Sequence, residues 1–273
     1  MKQLTKTDIQ KTILDIMVEF DKICRENGFT YALAGGSCLG AVRHKGFIPW
    51  DDDIDVVLPR PDYDRFLNYC KNSEKSFDVW NLDTDNNCCF TWTRLCDKNT
   101  VYGRIDSNYG CFIDVFPVDG VGNDKELFKK NIKYIKFLKG IINYNFGKDI
   151  GFIKLFKRQN TYKAKFCFTF FRIFNLIIGA KNAEKRISKI LNKWKYNDSK
   201  YLAVISSLYL SQTIFSKEIY EETIDVEFEE YTFKTFKNYD VYLKAQYGEN
   251  YMIPPPPDRR NETHGALTFY YKE

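Results

Sequence analysis

The chain has 273 residues, 28% of them charged and 44% hydrophobic, enough to bury the core of one large domain or two small ones. That balance excludes a disordered chain, and 15 glycines with 8 prolines in no repeat exclude a fibrous one. The net charge of +5 conceals an asymmetry: residues 125–195 hold 19 Lys and Arg against 3 acids, so this stretch carries +16 and the remainder −11.

The N-terminal stretch, residues 1–19, is interrupted by lysines and acids and lacks the apolar run of a secretion signal. Thr7 is expected to cap a first helix whose apolar face runs through Ile9, Ile13, Met17 and Phe20 to a stop at Gly28. "FTYALAGG" reads as a short strand entering a glycine turn, and "SCLGAVRHKG" as a short helix opening at Gly36 and Ser37. "DIDVVLPR" has the β-branched residues of a strand, and Pro61 starts a helix through "DYDRFLNYCKN". Strands are then expected at "SFDVWNL", "CFTWTRLCD" and "GCFIDVFPVDG".

The basic stretch reads as amphipathic helices, with Phe128, Ile132, Ile135 and Leu138 or Lys139 on one face. Its most apolar run, residues 166–178, contains Arg172 and Asn175 and is too short to span a bilayer. These helices either pack on the core with a lysine-rich solvated face or rest on an anionic membrane surface. No nucleic-acid motif accompanies the charge, so no specific nucleic-acid partner is expected. "YLAVISS" and "VEFEEYTFKTF" return to strand, and "NYDVYLKAQYG" forms a helix ending at Gly248. Pro254–Pro257 then predict an irregular tail. Strands in runs give an α+β fold: a mixed sheet, an inserted basic helical subdomain, and a return to the sheet. The expected divisions are residues 1–122, 123–198 and 199–273. The eight cysteines have no CxxC pair and read as reduced thiols of a cytosolic protein, with a zinc site through Cys88, Cys89 and Cys96 the weaker reading.

The sharpest local feature is "GFIPWDDDIDVVLPRPDYD". On a strand, Asp53 and Asp55 would share one face about 6.6 Å apart, so that both could converge on one divalent ion. Two such charges about 5 Å apart repel by roughly 3 kcal/mol at an effective dielectric of about 20, and Asp51 and Asp52 add to this. A solvated acidic turn balanced by Arg43, Lys45 and Arg60 is the plainer alternative. Asp114, flanked by Ile113 and Val115, is a third carboxylate that burial would penalise unless a cation or hydrogen bonds compensate it. For Asp119 a helix cap or surface loop is the simpler reading. Upstream, the Gly-Gly-Ser turn at the start of a helix offers bare backbone N–H groups at Gly36, and the Ser37 hydroxyl, to a phosphate. Together these features describe phosphoryl or nucleotidyl transfer assisted by Mg²⁺, with Mn²⁺ as the substitute.

Residues 35–66, "GGSCLGAVRHKGFIPWDDDIDVVLPRPDYDRF", together with "RLCDKNT", "FIDVFPVDG" and "YGENYMIPPPPDRRNETH", resemble the LicD family of the nucleotidyltransferase superfamily, which is related to the fukutin group. The resemblance implies a nucleotidyltransferase-type core that moves a phospho-substituent, phosphorylcholine first, from CDP-choline or a similar CDP-linked donor to a sugar hydroxyl, with release of CMP. The acceptor implied is a lipid-linked or membrane-proximal glycan, such as a lipopolysaccharide or teichoic acid precursor. The enzyme would then be cytoplasmic, in peripheral contact with the membrane through residues 125–195. On this reading Asp53, Asp55 and Asp114 hold the metal, and Asp55 or Asp114 is the base. Gly36 and Ser37 bind phosphate, Arg43, Lys45, Arg94 and Lys98 clamp the diphosphate, and Asp52 lies within the substrate loop. His44 reads first as a structural hydrogen-bonder, and His264 as either a substrate contact or a tail anchor. Trp50 packs beneath the acidic loop or, with tail tyrosines such as Tyr251, forms an aromatic cage for a quaternary ammonium. The alternatives are a true nucleotidyltransferase that releases pyrophosphate and a non-catalytic glycan- or nucleotide-binding module.

Overall fold

A computed structural model describes residues 1–103, 109–145, 161–207, 210–260 and 268–272. Helix α1 (Lys6–Asn27) starts two residues earlier than the Thr7 cap predicts. Thr5 and Asp8 form a reciprocal capping box that satisfies two orphan donors at once, whereas Gln10, which would be the partner of a Thr7 cap, donates instead to the Asp51 carbonyl. Gly28, with φ of +63°, ends the helix in the left-handed conformation. Strand β1 (Ala32–Leu33) leads into α2 (Gly35–His44), and β2 (Asp55–Pro59) into α3 (Arg60–Asn72). Strands β3 (Phe77–Trp80), β4 (Thr93–Asp97), β5 (Thr100–Tyr102) and β6 (Phe112–Gly122) follow.

The helices α4 (Lys125–Asn143), α5 (Tyr162–Ile178) and α6 (Ala180–Leu191) come next. The chain then returns through β7 (Tyr201–Val204), β8 (Phe215–Ser216), α7 (Lys217–Glu221), β9 (Thr223–Phe228), β10 (Tyr231–Phe236) and α8 (Tyr239–Tyr247). The last stretch is not wholly irregular: β11 (Phe269–Tyr271) pairs with β5, because tail aromatics past the prolines find an open edge there.

The main sheet is mixed, in the order β3-β4-β6-β2-β1-β10-β9. The neighbours β2 and β6 run parallel, as do β1 and β10, and the other pairs are antiparallel. Strand β6 is 11 residues long and pairs along one edge first with β4 and then with β7. A large hydrophobic cluster joins α1, α2 and α3 to this sheet. A second cluster packs Phe128, Ile135 and Leu138 of α4 and Ala183 and Ile187 of α6 against Ala203 and Ile205. Lys139 is buried in the second cluster because three backbone carbonyls, of Ile205, Ser206 and Ser207, accept from its ammonium at 3.0, 2.7 and 2.7 Å. Helix α5 behaves differently: Tyr162, Phe166, Ile173, Leu176 and Ile177 are exposed. Among the described residues no helix is long and apolar enough to cross a membrane. All eight cysteines are free thiols.

Candidate active site

The parallel pairing of β2 with β6 sets Asp55 directly beside Asp114, and the antiparallel pairing of β4 with β6 sets Arg94 on the other side of Asp114. A row thus crosses three strands: Arg94, Asp114, Asp55. It continues to the end of β1, where the Ala34 N–H donates to the Asp55 carbonyl at 2.9 Å. Asp53 lies in the loop that enters β2 and not on the strand itself, which begins at Asp55.

Asp114 is 7% exposed. Its Oδ1 accepts from Arg94 Nε at 2.8 Å and from Trp92 Nε1 at 2.7 Å. Arg94 is therefore committed to Asp114, and its guanidinium lies 3.7 Å from the Phe112 ring centroid and 4.4 Å from that of Phe90. The diphosphate clamp expected of Arg94 gives way to a cross-strand ion pair, the pairing that relieves a buried carboxylate most directly.

Asp55 has no such relief. Its carboxyl is held well above the usual carboxylate range, first by burial and then by Asp53, Asp114 and Asp51, with Arg94 acting weakly in the opposite sense. No hydrogen bond or ion pair reaches its carboxylate among the described residues. This supports a cation beside Asp53 and Asp55. Against a full triad, no three acidic, His or Cys side chains among the described residues stand together as an ion would need, and Asp114 Oδ1 already carries two donors. The residues therefore fit an ion held by the Asp53–Asp55 pair better than one shared equally by three carboxylates.

The glycine turn has a different job from the one expected. Gly35 has φ of +53°, and a Cβ there would sit 3.1 Å from Asp55 Oδ2. At Gly36 a Cβ would sit 2.8 Å from Asp51 Oδ2. The space that bare backbone leaves is thus filled by carboxylates, so the turn is no open anion seat. Ser37 is buried, and its Oγ accepts from the Asp55 N–H at 2.8 Å, which ties the start of α2 to the start of β2.

Other expected residues lie further away. Arg43 donates from Nε to His44 Nε2 at 2.9 Å and from a terminal nitrogen to the Tyr251 carbonyl at 2.7 Å, which anchors the tail. Burial, and then Arg43, lower the pKa of His44, whose ring meets Trp50 edge-on. Lys45 caps α2 at φ of +61° and is exposed. Arg43 and Lys45 thus stand some 12–15 Å along the helix from the glycine turn, at 1.5 Å per residue. Lys98 donates to the Lys75 carbonyl at 2.6 Å, about 13 Å beyond Arg94 along an extended strand. Asp52 and Asp53 border a gap of about 10 Å³ beside Ile9, Phe112 and Phe269. Trp50 does meet a cation, but an internal one: the Arg260 guanidinium lies 4.7 Å from its ring centroid. Tyr251 is buried with its hydroxyl donating to Asp240 at 2.8 Å, so the two rings form no cage. His264 lies outside the described residues. Asp119 is no surface cap: it is 4% exposed and held by Arg60 through two bonds of 2.6 and 2.9 Å.

Three further residues contribute, and of these the sequence alone points only to Asp51. Trp92 faces Asp114 because it precedes Arg94 by two residues on the same face. Asp51 lies in the acidic run itself. Tyr247 on α8 approaches Gly35, and burial and then Asp55 raise its pKa; nothing local to that helix announces it.

Residues 28–149 match the family model described as LicD/FKTN/FKRP, nucleotidyltransferase domain. The lipopolysaccharide cholinephosphotransferase LicD of Haemophilus influenzae is 27% identical over 269 residues, covering 95% of this chain and 96% of that protein. An uncharacterized protein of Rickettsia prowazekii is 25% identical over 151 residues, 45% of this chain and 56% of that one. The matched segment contains the whole Arg94–Asp114–Asp55 row and the turn that closes on it, and the alignment to the Haemophilus protein runs almost end to end: the chain is similar to the LicD family through the segment that carries the site.

Proposed function

We propose that the protein transfers phosphorylcholine from a CDP-linked donor to a sugar hydroxyl of a cell-surface glycan precursor, releasing CMP, on a nucleotidyltransferase-type core. The observation that carries this reading is Asp55, a carboxylate set among three others without a cation of its own, in the row that crosses β2, β6 and β4. Mg²⁺ held by Asp53 and Asp55 would neutralise charge on the donor's phosphate oxygens. Asp114, oriented by Arg94 and Trp92, supports that face of the site. A carboxylate of the row, Asp55 or Asp114, would accept the acceptor hydroxyl's proton. The name of the Haemophilus relative favours phosphorylcholine as the transferred group and a lipopolysaccharide as the acceptor.

The test is incubation with Mg²⁺, choline-labelled CDP-choline and a lipid-linked glycan. CMP release with label in the glycan is expected, whereas pyrophosphate release with a nucleotide left on the acceptor would replace this reading with true nucleotidyl transfer. The exposed face of α5, with Phe166, Leu176 and Ile177 at 70%, 73% and 74% exposure amid a stretch of charge +16, supports contact with an anionic membrane. Phe166→Ser with Ile177→Ser should cut sedimentation with phosphatidylglycerol vesicles severalfold while leaving turnover of a soluble acceptor unchanged.

A further inference from the structure

Trp92, whose indole N–H reaches Asp114, also lines a second cavity between α3, the β4–β6 region and α6. Its volume is about 160 Å³, and Arg60, Asp64, Asp83, Asp119 and Glu184 are among its lining residues. Arg60 is the sole Lys or Arg among the described lining residues, and Asp119 takes it bidentately, while Asp64 lies 3.5 Å from it. Negative charge is therefore in excess. Asp64 and Asp83 are exposed at the mouth, and Glu184 is half-buried. Burial and then Asp83 raise the pKa of Glu184, with Arg60 and Lys181 opposing, and Lys181 is exposed on α6.

Two further observations point to an occupant. Ser206 is 4% exposed, and its Oγ has no hydrogen-bond partner; Thr91 Oγ1 is likewise buried and unpaired. Both residues line this cavity. Two orphaned hydroxyls among the residues that line one polar cavity leave hydrogen-bonding capacity unmet unless something within meets it. The excess of acid calls for a cation. A bare metal ion does not suit the space, because among the described residues no three acids, His or Cys are grouped to ligate one. Trp92, Phe90 and Tyr63 supply aromatic surface of the kind that packs against organic cations.

We propose that this cavity binds a small organic ammonium ion carrying N–H donors, with Glu184 as its counter-ion and the Ser206 and Thr91 hydroxyls accepting its protons. A quaternary ammonium meets the charge but not the hydroxyls. A neutral polyol meets the hydroxyls but not the charge.

Calorimetric titration of the full chain with ethanolammonium chloride, without donor or Mg²⁺, tests this apart from any transfer reaction. Saturable one-to-one binding is expected, weakened about tenfold by Glu184→Gln and several-fold by Ser206→Ala. Tetramethylammonium and glycerol are expected to bind at least tenfold more weakly. The proposal is overturned if ethanolammonium fails to saturate at tens of millimolar, if tetramethylammonium or glycerol binds as well, or if Glu184→Gln leaves binding unchanged. It is also overturned if Asp55→Asn abolishes binding, because the ion would then occupy the acidic row. Since turnover is not the readout, failure of the transfer reaction would leave this result standing.

Discussion

Asp114 and Asp119 lie five residues apart on β6, both buried and both facing an arginine, yet their surroundings are resolved in opposite ways. At Asp119 the guanidinium of Arg60 engages both carboxylate oxygens, the fork-to-fork geometry that satisfies a buried pair most completely. At Asp114 the Arg94 and Trp92 donors converge on one oxygen, and Asp55 stands next in register with no cation of its own. The first arrangement is closed and serves stability. The second leaves charge over, at the end of the strand where the glycine turn and the acidic loop also meet. Such uncompensated charge costs stability and persists where a ligand restores the balance.

Three measurements would break or sharpen this contrast. The largest effect belongs to the open end: Asp55→Asn should lower turnover about 10³-fold, equivalent to about 4 kcal/mol in the barrier, with the circular dichroism spectrum unchanged. Full activity in that variant would remove the site assignment. Next, Asp119→Ala should destabilise the fold by about 2–3 kcal/mol in urea, a value reduced from that of a fully buried pair because Arg60 is partly exposed. A loss as large in Asp114→Asn would erase the distinction between the two ends.

The smallest effect is a pH dependence. Asp55 binds its proton more tightly folded than unfolded, so its contribution is complete below the ordinary carboxylate pKa and is lost as pH rises towards the raised one. Without divalent cations, melting temperature should therefore fall with rising pH above about 4 more steeply in the wild type than in Asp55→Asn. Near neutrality the variant should melt about 2–4 °C higher for each 1 kcal/mol relieved. Parallel melting curves for the two proteins would show that Asp55 carries no such strain.

Much of the architecture is legible in the chain. Short runs of apolar and β-branched residues mark β2, β4 and β6, apolar residues three and four apart mark α1 and α4, and Gly28 and Gly248 mark helix ends. The acidic run, the Gly-Gly-Ser turn and Asp114 were recognisable as one site because each breaks a local rule: charge among apolar residues, or glycine where a side chain would otherwise pack. The roles of the cations were not. Arg43, Lys45, Arg94 and Lys98 look equivalent in sequence, but strand register gives Arg94 to Asp114, and helix length carries Arg43 and Lys45 away from the turn. Spacing leaves Leu138 and Lys139 as alternatives on the apolar face of α4, and both are buried; the carbonyls that hold Lys139 come from a loop 66–68 residues later.

The order of residues alone therefore determined which segments are helix or strand and which carboxylates are too costly to bury unaided, since both follow from neighbours a few positions away. Tertiary structure decided which charges meet: Arg94 with Asp114, Arg60 with Asp119, Arg260 with Trp50, and nothing with Asp55 among the described residues. It also decided that α3, the sheet and α6 enclose a polar cavity. Those outcomes depend on register and packing between distant segments, and no local periodicity encodes them.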